Sequence, residues 1–382
     1  MKHSRKIIYL ASFLFSIPVA ITTYINSSFL EIYINTNYIA VIYVVASLAT
    51  IIGLLEMPRI LTRLGNRKTS ALFSIVTFFS LIFMAFGKME FVVIPAFIIY
   101  FVATNCILAT LDIFMEDFSK SRAIGRFRGF YLMIVSSAWV IAQLVSGSII
   151  TKSSYTGIYL FSAGFMVLVS FIFVLFLQDF EDPKYKKVPI KRTIKFFIQN
   201  KHISKIYLIN FILRFFYAWM IIYTPIYLHE YIGFTWNQIG VIFTVMLLPF
   251  VLLEFPLGKL SDKIGEKKML LIGFSIIAFF TTTIPLLHTS ELWLWASILF
   301  LTRVGAATIE VMSETYFFKS VSVENADAIS FFRNTAPFSF VVAPLVAIPI
   351  LLLIPTFQYL FFALGAVLLL GLLITLRLKD VR

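Results

Sequence analysis

The stretch LLEFP at residues 252–256 repeats LLEMP at residues 54–58, and ATIE at 307–310 repeats ATLD at 109–112. The offset is the same in both cases, 198 residues (254 − 56 and 310 − 112), in a chain of 382 residues. Each copy places a carboxylate in an otherwise apolar segment. A chain that repeats its rare charges half a length apart predicts two equivalent halves, and in a membrane protein such halves usually meet around a binding site.

The composition places nearly all of the chain in a membrane. Hydrophobic residues make up 60% and charged residues 13%, which is more apolar surface than a soluble domain can bury. Crossing a bilayer takes a helix of about 20 apolar residues, and runs of this kind recur twelve times, with connections too short for a catalytic domain. The alternation that marks β-barrel strands is absent. We therefore predict an all-α polytopic protein with twelve transmembrane helices in two parallel six-helix repeats.

The distribution of basic residues predicts the orientation. If the N-terminus lies inside, the inner segments hold 28 of the 32 Lys and Arg residues, and the outer loops hold only Lys88 and Lys152. This asymmetry is a strong positive-inside signal and predicts a multi-pass cell-membrane protein with both termini in the cytoplasm. It also accounts for the net charge of +13, so no nucleic-acid partner is needed to explain that charge. The single Cys106 excludes a disulfide framework and a cysteine-based metal site, and we predict no cofactor and no metal.

A basic segment separates the halves, which we place at 1–178 and 205–382. Within the linker at 179–204, Ile190, Ile194, Phe197 and Ile198 recur at helical spacing, with basic residues on the other faces. This pattern is typical of a helix lying on a membrane surface rich in anionic lipids. The alternative is a solvated linker that only obeys the charge rule.

The inner loop after the eighth span reads GKLSDKIGEKK at residues 258–268. Its Gly258, Asp262, Lys263 and Gly265 resemble the signature loop of the major facilitator superfamily, and the twelve spans in two parallel halves resemble that superfamily over the whole chain. The resemblance implies alternating access, a loop that acts as a conformational gate, and a central cavity lined by spans 1, 4, 7 and 10. The counterpart at 58–68 keeps Gly65 but lacks the Asp. The alternative is a basic inner loop with incidental glycines.

Charged residues recur along spans 4 and 10. Asn105, Asp112 and Glu116 in span 4 correspond to Arg303, Glu310 and Glu314 in span 10 at the offset of 198. Steps of 7 and 4 residues return to nearly the same helix face, so each triple forms one stripe. A charge near the bilayer centre costs about 2.5–3.5 kcal/mol on insertion scales. We therefore predict that Asp112 and Glu310 handle substrate or protons, with structural pairing as the alternative.

Two arginines break the symmetry of the halves. Arg303 corresponds to the neutral Asn105 in the first repeat. Arg214 in span 7 likewise corresponds to Ser16 in span 1. Arginine suits the recognition of carboxylates and phosphates, which predicts an anionic or zwitterionic substrate. The alternative is neutralisation of both arginines by Asp112, Glu310 or a carbonyl group. Tyr217 and Gln143 are further candidates for lining the cavity, although such residues often only face lipid or neighbouring helices.

A second group of charges lies near the inner ends of the spans. Arg128 and Arg333, which open the spans that follow, are the expected partners of Glu116 and Glu314. Such pairs are predicted either to gate the inner side or only to anchor helix ends. The remaining gate candidates each end a span just before a proline, and they are Glu56 and Glu254.

These patterns together predict a monomeric secondary active transporter, not an enzyme, that moves a small solute by alternating access. We expect proton coupling, as a symporter or an antiporter. A multidrug exporter with the same machinery is the alternative. A polytopic membrane enzyme is a weaker one, because the loops lack a polar cluster of His or paired acids. No nucleotide-binding loop is visible, which argues against a primary pump.

Overall fold

The structure is a computed structural model that describes residues 2–118, 124–177, 190–320, 331–353 and 355–379. The described residues are helical, with turns and short connections and no strand among them. They form two compact units. Unit 1 comprises Met1–Lys187 together with Thr235–Val241, and unit 2 comprises Val188–Phe234 together with Ile242–Arg382.

Unit 1 contains two long helices that each hold two spans. The first is interrupted at Gly65, where φ is 76°, and the second at Ser154, where φ is 55°. Gly65 tolerates this left-handed backbone without the steric cost that a Cβ brings. The helices of this unit are α1 (Lys2–Thr23), α2 (Asn26–Glu31), α3 (Thr36–Phe86), α4 (Glu90–Phe118) and α5 (Ile124–Leu175).

Unit 2 begins with a short helix in the segment that the sequence predicts as a linker. A π-helical turn, Tyr227–Tyr231, follows the seventh helix. The first part of the signature-like segment 258–268 lies in a helix of eleven residues, Glu254–Ile264. The helices are α6 (Ile190–Gln199), α7 (Lys201–Ile226), α8 (Trp236–Leu252, whose first turns belong to unit 1), α9 (Glu254–Ile264), α10 (Glu266–Thr283), α11 (Leu292–Ser320), α12 (Thr335–Leu353) and α13 (Leu360–Leu376).

The number of spans agrees with the prediction. Among the described residues, nine helices are long and apolar enough to cross a membrane. Dividing α3 and α5 at their kinks raises this number to eleven (9 + 2), and the shorter apolar helix Trp236–Leu252 completes twelve (11 + 1). The predicted all-α, twelve-helix fold is confirmed.

The two units repeat the same helix packing. In unit 1, α1 packs on α5, and α3 packs on α4. In unit 2, α7 packs on α12 and α13, and α10 packs on α11. This correspondence is what the repeated sequence predicts, because α4 and α11 carry the matching carboxylates.

Backbone contact explains why the start of α8 groups with unit 1. A Cβ atom on Gly147 of α5 would lie 2.4 Å from the carbonyl oxygen of Trp236, and one on Gly240 would lie 3.0 Å from that of Gln143. Two glycines therefore let α5 and the first turns of α8 approach more closely than side chains would allow.

Candidate functional site

Helices α7 and α11 of unit 2 bring four of the predicted site residues together. These residues are Arg214 and Tyr217 on α7 and Arg303 and Glu310 on α11. Arg214 and Tyr217 are three positions apart, so they share one face of their helix. Arg303 and Glu310 are seven positions apart, so they lie on one stripe about 10 Å apart along the axis.

Glu310 is held by two donors from α7. The Nη2 atom of Arg214 lies 2.9 Å from its Oε1 atom, and the Tyr217 hydroxyl donates a hydrogen bond of 2.8 Å to Oε2. The Arg214 and Glu310 side chains are 25% and 22% exposed. The carboxylate of Glu314 is 3.9 Å from Arg214. Both Glu310 oxygens are therefore engaged by α7, and the hydrogen bond from Arg214 is of the strong, charge-assisted kind.

Arg303 has different surroundings. Its side chain is buried, with 1% exposed, and its guanidinium carbon lies 4.8 Å from the centre of the Phe216 ring and 5.8 Å from that of Tyr217. Cation–π contact of this kind contributes about 2 kcal/mol or more when the cation is desolvated. The Nη1 atom, however, has no hydrogen-bond partner among the described residues.

A buried polar network, which the sequence patterns did not predict, connects α7 with two other helices. The Asn210 amide donates to the Ser313 hydroxyl at 3.2 Å, and the Thr335 hydroxyl donates to the Asn210 oxygen at 2.7 Å. All three side chains are buried, and they connect α7, α11 and α12. The available signal was an amide four residues before Arg214, which places Asn210 on the same face of α7.

The helix that carries Arg303 lies in backbone contact with its neighbour. A Cβ atom on Gly305 of α11 would lie 2.7 Å from the carbonyl oxygen of Gly273 and 2.7 Å from the backbone nitrogen of Ile277, both on α10. Contacts this short have no room for a side chain. The two glycines therefore fix α10 and α11 at a close distance beside Arg303.

The other three candidates for the substrate site belong to unit 1. The Asn105 amide is half-buried and donates to the carbonyl of Phe101 at 2.8 Å. The Gln143 amide is buried and donates to the carbonyl of Ala20 at 2.6 Å, which ties α5 to α1. Asp112 is exposed.

The structure describes part of the predicted gate. Glu56 pairs with Arg59 on an exposed surface, and Glu254 lies near enough to Glu310 and Glu314 to interact electrostatically with both. Gly265 has a φ of 91° and interrupts the helix between α9 and α10. Gly258 lies within α9 and Arg333 is exposed. The side chains outside the described part are those of Glu116, Arg128, Asp262 and Lys263.

An ion pair at the end of the signature-like loop was not predicted. Glu266 opens α10 directly after Gly265 and is buried, and its Oε1 atom lies 2.6 Å from the Nζ atom of Lys319 near the end of α11. A carboxylate in the first turn of a helix is also favoured by the helix dipole. No cluster of three or more metal-binding side chains occurs in the part of the chain that the structure describes.

Comparison with known proteins shows related sequences and folds. Curated relatives from Staphylococcus aureus, including those of strains COL and N315, carry the name "Putative proline/betaine transporter" and are 32% identical over 130 residues, which is 30% of this chain. The matched segment spans only 27% of their length. Two solved structures share the fold across nearly all of both chains. One is the nucleoside transporter NupG, with a TM-score of 0.77, 12% identity and coverage of 98% of this chain and 99% of that one.

The second solved structure comes from a study of substrate recognition in proton-dependent oligopeptide transporters, with a TM-score of 0.75 and 10% identity. It covers 99% of this chain and 98% of its own. At these identities the structures show the fold alone. The family model for the Major Facilitator Superfamily matches residues 7–237 and, a second time, residues 206–382. Two matches that together span almost all of the sequence agree with the two-repeat fold, and the chain therefore belongs to the Major Facilitator Superfamily.

Proposed function

We propose that this transporter of a small solute is proton-coupled and that its solute carries a carboxylate, as an anion or a zwitterion. The observation that carries the proposal is the cluster of Arg214, Tyr217 and Glu310 beside the buried Arg303. A membrane-spanning helix keeps charged side chains when they are paired or when they serve transport. Here Arg214 is paired with Glu310 and lies 3.9 Å from Glu314, whereas Arg303 has aromatic neighbours and one donor without a partner among the described residues.

The unequal pairing of the two arginines favours an anionic group on the solute. Arg214 has two carboxylates within 4 Å, Glu310 at 2.9 Å and Glu314 at 3.9 Å, whereas the Nη1 atom of Arg303 has no hydrogen-bond partner among the described residues. A solute carboxylate would neutralise the remaining guanidinium with the planar, two-point geometry that arginine prefers. The relatives from Staphylococcus aureus are named for proline and betaine, both of which are zwitterions with one carboxylate. A multidrug exporter would instead need a wide apolar pocket without such a fixed ion pair.

Glu310 supports proton coupling. A proton on Glu310 removes the negative charge that holds Arg214, and its loss restores the ion pair. The protonation state therefore changes which partners Arg214 has, and a group whose interactions differ between two states biases the equilibrium between them. Alternating access in transporters of this fold is largely a rocking of the two repeats about a fixed site.

The linker helix supports a contact with anionic lipids. Phe197 of α6 is 5% exposed and lies 4.8 Å from Phe331 and 5.4 Å from Tyr207, measured between ring centres. The next residue, Ile198, is 72% exposed. Together with the basic residues of this segment, an exposed apolar side chain is typical of a helix in the membrane interface. This arrangement also fits a cytoplasmic location of the linker and both termini in a cell membrane.

Reconstitution into liposomes tests the proposal. We expect L-proline or glycine betaine to accumulate when a pH gradient is imposed, and a protonophore to abolish accumulation. Glu310→Gln is expected to lower gradient-driven accumulation by about tenfold, the loss of about 1.4 kcal/mol of coupling, while exchange between equal internal and external solute persists. Glu291→Gln, an exposed carboxylate outside both the cluster and the predicted gate, is the matched control. Wild-type accumulation that is indifferent to the protonophore would contradict proton coupling.

A further inference from the structure

The two arginines of unit 2 have unequal partners. Arg214 faces Glu310 at 2.9 Å and is a quarter exposed. Arg303 is buried with 1% exposed, and its Nη1 atom has no hydrogen-bond partner within the described ranges. Both oxygens of Glu310 are already engaged by α7. Arg303 therefore has a free donor that Glu310 does not serve in this arrangement.

A buried guanidinium whose N–H donor has no acceptor is unfavourable, and an acceptor that binds there removes this cost. Desolvation of a charged donor without a partner is among the larger costs in a folded protein. The faces of the Phe216 and Tyr217 rings attract the positive charge of Arg303. A ring face, however, does not accept a hydrogen bond from every N–H group of the guanidinium. The missing partner is an acceptor that comes from outside the described side chains, and a planar carboxylate matches the arginine fork best.

The Tyr217 ring lies against Arg303 and is tied to Glu310. Its ring centre is 5.8 Å from the Arg303 guanidinium carbon, and its hydroxyl is held by Glu310 at 2.8 Å. Tyr217, Arg214 and Glu310 are partly exposed, whereas Arg303 is not. Within this cluster, Tyr217 is the partly exposed side chain whose ring contacts the Arg303 guanidinium. Swinging the ring away from Arg303 about its Cα–Cβ bond moves the hydroxyl and therefore breaks the hydrogen bond to Glu310.

We propose that Arg303 is the receptor for a single carboxylate of the solute, and that Tyr217, fastened by Glu310, is the lid that covers it. This assignment rests on the proposed function and refines it, since it gives the two arginines different tasks. Arg214 pairs with the carboxylates of Glu310 and Glu314, and Arg303 binds the solute. One free guanidinium fits a monocarboxylate, with the Phe216 face beside it for an apolar part of the solute.

Chemical labelling tests the lid without any transport measurement. Phenylglyoxal modifies accessible arginines, and mass spectrometry of the digested protein reads each site separately. We expect slow modification of Arg303 in the wild type, faster modification in Tyr217→Phe, which keeps the ring but loses the hydrogen bond to Glu310, and the fastest in Tyr217→Ala. Arg63, which is exposed and lies outside the cluster and the predicted gate, is the internal control. Equal rates at Arg303 in all three proteins would overturn the lid.

Matched acid and amide probes test the receptor in detergent, where no gradient exists. The probes are L-proline against L-prolinamide, and glycine betaine against its amide. We expect at least one acid to raise the melting temperature of the wild type and to protect Arg303 from phenylglyoxal, whereas its amide does neither. Arg303→Gln is expected to weaken acid binding by about 30-fold or more, as truncation of one partner of a buried charged pair does. Arg303→Lys is expected to restore part of that loss.

The outcomes separate the two proposals. If the acids fail to protect Arg303, or if Arg303→Gln binds them as the wild type does, the receptor assignment is wrong even where gradient-driven uptake persists. If Arg303-dependent binding of the acid occurs and a pH gradient drives no uptake, only the proton coupling fails. Lys152→Gln, an exposed position outside the cluster, controls for the general effect of removing a positive charge.

Discussion

At the level of single residues, Glu266 and Lys319 form an ion pair in which one side chain is buried and the other is exposed. The Glu266 side chain is 3% exposed and that of Lys319 is 45% exposed, with 2.6 Å between Oε1 and Nζ. Removal of one partner leaves the other without its counter-charge, and the cost depends on whether water can reach the remaining group. Lys319 can regain water, whereas Glu266 cannot.

The two single substitutions at this pair should therefore have unequal effects. We expect Lys319→Met to lower the free energy of unfolding by about 2–3 kcal/mol, because it leaves a buried carboxylate unpaired, and Glu266→Gln by about 1 kcal/mol. Thermal unfolding of the purified variants in one detergent measures the order. The double variant should recover much of the larger loss. A smaller shift for Lys319→Met than for Glu266→Gln would contradict this account of the pair.

At the scale of elements, α10 and α11 approach each other through Gly273 and Gly305. The Cβ atom of a residue at 305 would meet backbone atoms of α10 at 2.7 Å, and backbone cannot turn aside as a flexible side chain can. The helices would have to separate. Since Arg303 lies two residues before Gly305, that separation would also move the guanidinium relative to Phe216 and Tyr217.

Gly305→Ala should therefore destabilise the protein although alanine favours helices. We expect a loss of about 1–3 kcal/mol, the usual range for overpacking, together with weaker binding of the carboxylate probes. Gly164→Ala is the matched control, because it lies within α5 and its Cβ atom would meet nothing within 4 Å. That variant should be neutral or more stable by about 0.4–1 kcal/mol. Equal melting temperatures for the two variants would show that the close approach is not needed.

The linker helix α6 offers a second comparison at this scale, between adjacent residues. Phe197 is buried against Tyr207, Phe317 and Phe331, whereas Ile198 is 72% exposed. We expect Phe197→Ala to cost about 3–5 kcal/mol, the usual loss for a buried phenylalanine, and Ile198→Ala less than about 0.5 kcal/mol in detergent. Limited proteolysis near residue 190 should then accelerate only in Phe197→Ala. Equal protection of both variants would mean that α6 is held by other contacts.

At the scale of the whole molecule, the features that depend on neighbours in the chain could be predicted from the sequence. The length of an apolar run decides whether it spans a bilayer, so the twelve helices follow from hydropathy. Helical register placed Arg303 and Glu310 on one stripe of α11. The hydrogen bond between Tyr217 and Glu310 joins residues 93 positions apart, and the pair of Lys319 with Glu266 joins residues 53 apart. Such partners depend on how helices pack, which register within one helix does not encode.

Asn210 is a second residue whose partners could not be predicted from the sequence. Its spacing from Arg214 places Asn210 on the same face of α7. The sequence does not show whether such an amide bonds a backbone carbonyl, as Gln143 does, or other side chains. Only the positions of Ser313 and Thr335 on two other helices make it the centre of a network. The sequence could supply the candidate charges on each helix, whereas their partners and their burial required the folded structure.

The orientation of the whole molecule is the last prediction, and it rests on the placement of the basic residues. The connections assigned to the inside hold 28 of the 32 Lys and Arg residues, and each juxtamembrane cation favours the cytoplasmic, anionic face by about 1 kcal/mol. Alkaline phosphatase fused after Lys88 or Thr289 should therefore be exported and active, whereas fusions after Asn200 or Arg377 should be inactive. Green fluorescent protein at the same four sites should give the opposite pattern. Activity of the phosphatase after Asn200 would reverse the assigned orientation, and with it the cytoplasmic position of α6 and of the signature-like loop.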